Sequence, residues 1–370
     1  MNKAMERATV SPKKQTGLQA PAWLRVLSGL LVVVLFSAAA WWITQRVYGM
    51  KLPFGIPGKA LEYPLWAAVA GLVGGQLLRL AGAREYVRPG IRTELFLKIG
   101  LVLMGATVNL GLILSAARGA ILQSLVMIPA VFFFAWWVSG KFGLESKLRA
   151  VMSTALAVCG VSAAIAAAGS VSAKKEQVTY VTGLVIVVAL PMMVIAPLIG
   201  QAMGLSEVVA GAWFGGNIDT TAAVVGAGTI YGEKAQEIAS IVKSTQNSLI
   251  GFVALALALF FAGQGQAGSS KPGLRVVWDR FPKFVLGFVA ASVLFTLGWI
   301  DGGKGSAIDA LKNWAFTFAF VAMGIDFSVG AFRAMGWRPV AVFLLVTVFN
   351  TLLALGAAWV IFTYLLPVAG

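Results

Sequence analysis

The 370-residue chain is 59% hydrophobic and 12% charged, with a mean hydropathy of +0.86. A soluble domain carries about 25% charged residues, so this chain has too little polar surface to fold in water alone and belongs to the polytopic membrane class. It has no histidine and a single cysteine, Cys159; an internal disulfide, Cys/His metal sites, bis-His haem and histidine proton relays are all excluded.

The first 20 residues are polar and basic, with Lys3, Arg7, Lys13 and Lys14, and read as a disordered cytoplasmic tail. The apolar stretch that follows is too long for a signal-peptide core and has no clear cleavage site, so it reads as a retained first helix. Apolar windows long enough to span then recur, predicting about eleven transmembrane helices near 22–44, 62–80, 95–115, 120–139, 148–170, 177–199, 206–229, 236–261, 284–300, 311–331 and 338–363. Residues 21–365 thus form a single transmembrane unit. The longest polar connection, 263–280, is a loop ending in an interfacial helix around Trp278 and Phe281. With the N-terminus inside, 19 of the 29 Lys/Arg fall on the cytoplasmic side, the orientation bias expected of an inner-membrane protein. This predicts a multi-pass bacterial inner-membrane protein, N-terminus cytoplasmic and C-terminus periplasmic. The net charge of +15 is accounted for by that basic face against anionic lipid. No aromatic-basic groove marks a nucleic-acid partner.

Two spans differ from plain apolar helices. The fifth contains the small-residue run 158–170, and the seventh contains Gly211, Gly215, Gly216, Gly226 and Gly228. Small residues permit close helix packing; they also permit broken helices, whose free backbone groups bind substrate or ion near the midplane. Asp219 is central to the second reading, because a carboxylate within a span faces protein, water or an ion. Thr220, Thr221 and Asn217 accompany it as an ion site for Na⁺ or H⁺. The alternative is an aspartate that caps the second half of its helix or pairs with a buried lysine. Gly215 and Gly216 are read as the point of unwinding, or as a packing notch. Asp326 lies near the cytoplasmic end of the tenth span and is either an ion ligand or in water. In the eighth span, Lys243 and Asn247 share a face; Lys243 either neutralises Asp219, attracts an anion, or extends to the outer surface. In the fifth span, Cys159, Gly160 and Ser162 suit an oxyanion cradle if the helix breaks there.

The stretches 104–111 and 323–330 form a faint echo, matching at three of eight positions in oppositely directed spans, as an inverted repeat requires. No Walker A, G-x-S-x-G or H-E-x-x-H sequence occurs, and no nucleophile–base pair is visible. An enzyme is not expected, and no cofactor beyond a coupling Na⁺ or H⁺ is implied.

The segments Gly100–Gly105, Val158–Ile165, Asn217–Gly228 and Val242–Lys243 together resemble a family of conserved hypothetical bacterial inner-membrane proteins that carries a provisional sulfate exporter designation. The resemblance covers about residues 60–365. Family members carry a histidine–aspartate pair and a glutamine in the seventh-span motif, where this chain has Asp219, Thr220 and Ala223; an imidazole proton mechanism is closed to it. The family is distantly similar to the bile acid, arsenite and riboflavin transporter group. That likeness implies an inverted-repeat fold with discontinuous helices, in which core (transport) and panel (scaffold) subdomains interleave along the sequence. The fifth and tenth spans are five apart and opposite in direction, as a crossed inverted pair needs; the seventh does not fit that pairing.

The expected function is ion-coupled secondary transport of a small anionic solute, sulfate or organosulfonate-like, with the lipid bilayer as the other partner and a homodimer as one admissible assembly. Cys159, Gly160, Ser162, Gly215, Gly216, Lys243 and Asn247 are the expected solute-binding residues. A small-anion channel and a non-transporting membrane scaffold or sensor are the alternatives.

Overall fold

A computed structural model describes residues 21–47, 62–263, 274–300, 302–327 and 336–368. The N-terminal tail expected over 1–20 lies outside the described residues. All regular structure among the described residues is helical. Among the described residues, six helical stretches are long and apolar enough to cross a membrane: Ala22–Val47, Leu110–Lys141, Lys175–Ala202, Glu233–Ala262, Gly305–Asp326 and Trp337–Leu365. Tyr63–Leu80 and Arg84–Gly105, bent by 120° against each other, make a seventh if counted as one span. The expected spans at 148–170, 206–229 and 284–300 fall on shorter helices, two of them on pairs with a break between.

The chain runs through α1 (Ala22–Val47), α2 (Tyr63–Leu80), α3 (Arg84–Val87), a 3-10 turn (Arg88–Gly90), α4 (Thr93–Gly105) and α5 (Leu110–Lys141). The first broken pair follows, α6 (Ser146–Ala157) and α7 (Val161–Val171), then α8 (Lys175–Ala202). The second broken pair is α9 (Glu207–Asn217) and α10 (Thr221–Tyr231). After it come α11 (Glu233–Ser248), α12 (Ile250–Gly263), the short α13 (Leu274–Arg280), α14 (Phe284–Thr296), α15 (Gly302–Asp326) and α16 (Trp337–Val360), which ends in a π-helical turn (Ile361–Leu365).

Local chemistry sets several boundaries. Asn109 opens α5 by accepting the Gly111 N–H at 2.7 Å, and Ser206 opens α9 by accepting from Val209. Large apolar side chains on the outside, among them Leu114, Leu125, Phe133 and Trp137 of α5 and Leu352 of α16, are exposed. A continuous apolar exterior of that kind is a surface made for lipid.

Packing divides the helices. α15 lies on α2 and α4, α1 lies on α2, and α14 lies on α4. α11 lies against α5, α9 and α10, while α16 lies on α5 and α9. Small residues let backbones approach in both groups: a Cβ on Gly71 of α2 would lie 2.2 Å from the Val321 carbonyl oxygen of α15.

Two sequence expectations change here. The break in the seventh span falls at Ile218–Thr220, not at Gly215 and Gly216, which lie inside α9. A Cβ on Gly215 would meet Val242 Cβ at 2.7 Å, so that glycine is the notch by which α9 and α11 touch. The fifth span is broken as expected, but its break faces the seventh span. Its expected partner, the tenth, is the unbroken helix α15 through Asp326. The end of the second echo stretch, 328–330, lies outside the described residues.

Candidate functional site

The two breaks meet. Gly160 sits at φ 64° and ψ −103°, a backbone conformation open to glycine. A Cβ there would lie 3.0 Å from the Asp219 carbonyl oxygen and 3.4 Å from the Asp219 Cβ. Four helix ends therefore gather at one place inside the protein, and their unpaired backbone groups determine its chemistry.

The carbonyl ends are capped by side chains. At the end of α6, Lys243 of α11 donates to the Val158 carbonyl at 2.6 Å and to Gln246 Oε1 at 2.7 Å, and Gln246 Nε2 donates to the Ala157 carbonyl at 3.2 Å. A cation at a helix C-terminus is favoured by the dipole. At the end of α9, Asn350 Nδ2 of α16 donates to the Asn217 carbonyl at 2.9 Å. Lys243 is 1% exposed, so the outer-surface reading is excluded by burial.

The N–H ends are treated differently. The first-turn N–H groups of α7 and α10 have no acceptor within their own helices; Thr220 Oγ1 takes the Ala223 N–H at 3.2 Å. Both N-termini open on one cavity of about 520 Å³, lined there by Cys159, Val161, Ser162, Thr220, Thr221 and Ala222. Its far side is formed by Thr93, Glu94 and Lys98 of α4, by Asp279–Phe284 and by Met323 and Asp326 of α15. Two positive dipole ends and Lys98, Arg280 and Lys283 therefore face the same space as three carboxylates. All three carboxylates have partners: Glu94 Oε2 pairs with Lys98 at 3.0 Å and Glu94 Oε1 accepts from Ser162 at 3.1 Å, Asp279 Oδ2 lies 3.9 Å from Arg275 Nε, and Asp326 Oδ2 accepts from Thr93 at 3.2 Å.

Asp219 is 5% exposed and lies behind the cavity wall, absent from its lining. Lys243 is within electrostatic reach of its carboxylate. Among the described residues, however, no ion pair within 4.0 Å and no hydrogen bond involves that carboxylate. Burial works against its charge, and the Lys243 ammonium and the α10 N-terminus act in its favour.

The structure thus gathers Cys159, Ser162, Thr220, Thr221, Asn247 and Asp326 around the cavity, and places Asp219, Gly160 and Lys243 at its rear. Asn247 Nδ2 donates to Thr221 Oγ1 at 3.1 Å. Gly215 and Gly216 face α11 and Gln123, away from the lining. Asn217 turns toward α16, where Thr351 Oγ1 contacts its Oδ1 at 2.9 Å.

Sequence reasoning missed Glu94, Lys98, Arg280 and Lys283 at the cavity, and Gln123 and Asn350 within the helices. The last two carried a usable signal, since each is a strongly polar amide inside an apolar span. The charged residues near helix ends carried none, because a basic residue there is equally an interfacial anchor.

No group of three or more His, Cys, Asp or Glu suited to a metal ion occurs among the described residues.

Residues 28–343 match the family described as Conserved hypothetical protein 698, and the chain belongs to that family. A UPF0324 membrane protein of Rhodopirellula baltica is 34% identical over 354 residues, covering 91% of this chain and 63% of the relative. One from Nitratidesulfovibrio vulgaris is 36% identical over 321 residues, covering 82% and 55%. The chain thus spans less than two thirds of the length of these two relatives. The UPF0324 membrane protein TauZ of Paracoccus pantotrophus is 30% identical over 329 residues, covering 87% of this chain and 91% of that protein. No solved structure matches.

Proposed function

We propose that this member of the Conserved hypothetical protein 698 family is an ion-coupled secondary transporter for a small anion, of the sulfate or organosulfonate class. The observation that carries the reading is the shared cavity of α7 and α10. Two helix N-termini face it, while the opposing carbonyl ends are neutralised from behind by Lys243, Gln246 and Asn350. That arrangement leaves net positive potential where a solute would sit.

In this reading the chain crosses the membrane eleven times, with α6–α7 and α9–α10 each serving as one discontinuous crossing. The N-terminus is cytoplasmic, the C-terminus periplasmic and the membrane the bacterial inner one. The cavity then opens to the cytoplasm, beside α13 and the start of α4. The group of α2, α4 and α15 acts as the panel, and the helices around the breaks act as the core. An inverted repeat relates the two halves of the chain. Ser162, Cys159, Thr221 and Asn247 contact the solute. Asp219, with Thr220 and Asn217, senses the coupling Na⁺ or H⁺ and biases which side is open, and Asp326 holds the cytoplasmic entrance through Thr93.

Flux into proteoliposomes tests this. The solutes are sulfate, sulfite, thiosulfate, small sulfonates and carboxylates, each with and without a Na⁺ or pH gradient. Saturable uptake of one anion, driven by an ion gradient, is expected. Asp219→Asn is expected to reduce gradient-driven uptake by at least about tenfold, the loss of roughly 1.4 kcal/mol of coupling, while leaving exchange of solute for solute. Unchanged uptake with unchanged ion dependence removes Asp219 from the mechanism.

Cys159 offers a second readout, as the sole cysteine and part of the cavity wall. A small thiol reagent is expected to modify it from the cavity. The transported anion should slow that reaction in proportion to its occupancy, measured by mass spectrometry of the intact chain. Equal rates with and without the anion would place the solute elsewhere.

A further inference from the structure

Behind the cavity, α5, α9 and α16 meet at a second polar cluster that the solute pathway does not use. Gln123 of α5, Asn217 of α9 and Asn350 of α16 are 0%, 3% and 2% exposed. The Gln123 and Asn350 amides are each anchored by one hydrogen bond. Gln123 Nε2 donates to the Ala212 carbonyl at 3.1 Å, and Asn350 Nδ2 donates to the Asn217 carbonyl at 2.9 Å. Those acceptors are carbonyl oxygens, so both amide orientations are fixed. Gln123 Oε1 and Asn350 Oδ1 are left buried and without a partner.

The third amide follows from proton counting. Thr351 Oγ1 lies 2.9 Å from Asn217 Oδ1 and 2.8 Å from the Thr347 carbonyl. A hydroxyl has one proton and can donate to one of them only. Thr154, Thr229, Thr245, Thr317 and Thr347 all give theirs to the carbonyl four residues back, the usual arrangement for a helical threonine. With Thr351 doing the same, Asn217 must donate to Thr351, and its amide turns to leave Oδ1 free in place of Nδ2.

Three neutral amide oxygens then remain, with no donor among the described residues. One water molecule, with two protons, can serve two of these oxygens at most. A single cation can be shared by all three. The α9 C-terminus contributes partial negative charge at the same place, and Asp219 lies two residues further on. The absence of a carboxylate in the cluster disfavours a divalent ion, which binds through anionic ligands. The junction is tight: a Cβ on Gly216 would lie 2.5 Å from Gln123 Nε2.

We propose that Gln123 Oε1, Asn217 Oδ1 and Asn350 Oδ1 form a Na⁺ site at the junction of α5, α9 and α16. The coupling role of the ion rests on the transporter reading; the binding itself does not. An ion here sits at the carbonyl end of one broken helix while the solute sits at the N–H end of the other half. Occupancy of the two would then be linked through the Ile218–Thr220 break.

The test uses the purified full-length chain in detergent, with NaCl exchanged for choline chloride or KCl at constant ionic strength. Thermal unfolding and equilibrium binding of radioactive Na⁺ are the readouts. Wild type is expected to gain melting temperature saturably with Na⁺ and not with choline. Gln123→Met, which keeps side-chain length and removes the oxygen, is expected to raise the half-saturating Na⁺ concentration by about tenfold. Gln123→Glu, which keeps the shape and adds charge, is expected to lower it. A wild type with no Na⁺-specific response overturns the site and leaves an internal water only. A Na⁺ response untouched by both Gln123 variants but lost in Asp219→Asn also overturns it, and moves the ion to Asp219 with the transporter reading intact. Na⁺ binding that follows Gln123, in a protein that moves no solute under any gradient, upholds the site and removes the transporter reading instead.

Discussion

Replacing Lys243 with methionine is expected to destabilise the folded protein by about 3–5 kcal/mol, the usual cost of removing one partner from a buried charge pair. The lysine is 1% exposed, and the Asp219 carboxylate it balances has no hydrogen bond of its own among the described residues. Loss of the ammonium leaves a buried anion uncompensated. It also leaves the Val158 carbonyl and Gln246 Oε1 without their donor, a smaller loss of about 1–3 kcal/mol. The two contributions separate in a double-mutant cycle. Asp219→Asn added to Lys243→Met should restore the electrostatic part and leave the capping part, so the double variant is more stable than the lysine variant alone. Unfolding in mixed detergent micelles, followed by tryptophan fluorescence, gives the four energies. Strict additivity would mean that Asp219 and Lys243 do not sense one another, and that the lysine is only a cap for α6.

The second large effect is expected at Gly160. Alanine there meets two separate penalties. The positive φ costs about 1–3 kcal/mol for any L side chain. The new methyl also falls 2.4 Å from Val185 Cγ1 and 3.0 Å from the Asp219 carbonyl oxygen, forcing the two helix breaks apart. Gly143 separates the two penalties, because its φ is +68° and a methyl there would have open space, with nothing within 4 Å. Gly143→Ala should therefore show the conformational cost alone, and transport should survive. Gly160→Ala should show more than that cost and should abolish flux in whatever fraction still folds. Equal losses in the two variants would mean that contact between the breaks is not required.

Much of this site was visible in the one-dimensional pattern. A carboxylate at position 219 inside an apolar stretch is improbable unless protein encloses it, and burial at 5% exposure agrees. Gly160 beside Cys159 and Ser162 marked the other break for a similar reason: small residues and a hydroxyl interrupt an apolar run. The place where the seventh span breaks was not visible. Gly215 and Gly216 looked like the weak point by propensity, yet they are helical: α11 packs against Gly215, and Gln123 of α5 packs against Gly216. The chain breaks after Asn217, where Asn350 replaces the lost helical partner of its carbonyl and Thr220 restarts the ladder. The first of these substitutes comes from the folded context, and α16 is more than a hundred residues away in sequence.

The chain by itself determined the environment and the helical class. Its hydrophobic composition cannot be solvated by water, and within a bilayer a backbone that pairs its own groups must be helical or form a closed barrel; the helix-length apolar windows select the former. It also determined that histidine chemistry is closed to this protein. Which breaks face one another was decided only in three dimensions, where the fifth span meets the seventh in place of the tenth. The placement of Lys243 was decided there too: it is buried at the end of α6 and does not reach the outer surface. Sequence reports what each segment prefers, but a helix end is satisfied by whichever side chain folding brings to it, and that pairing has no local signature.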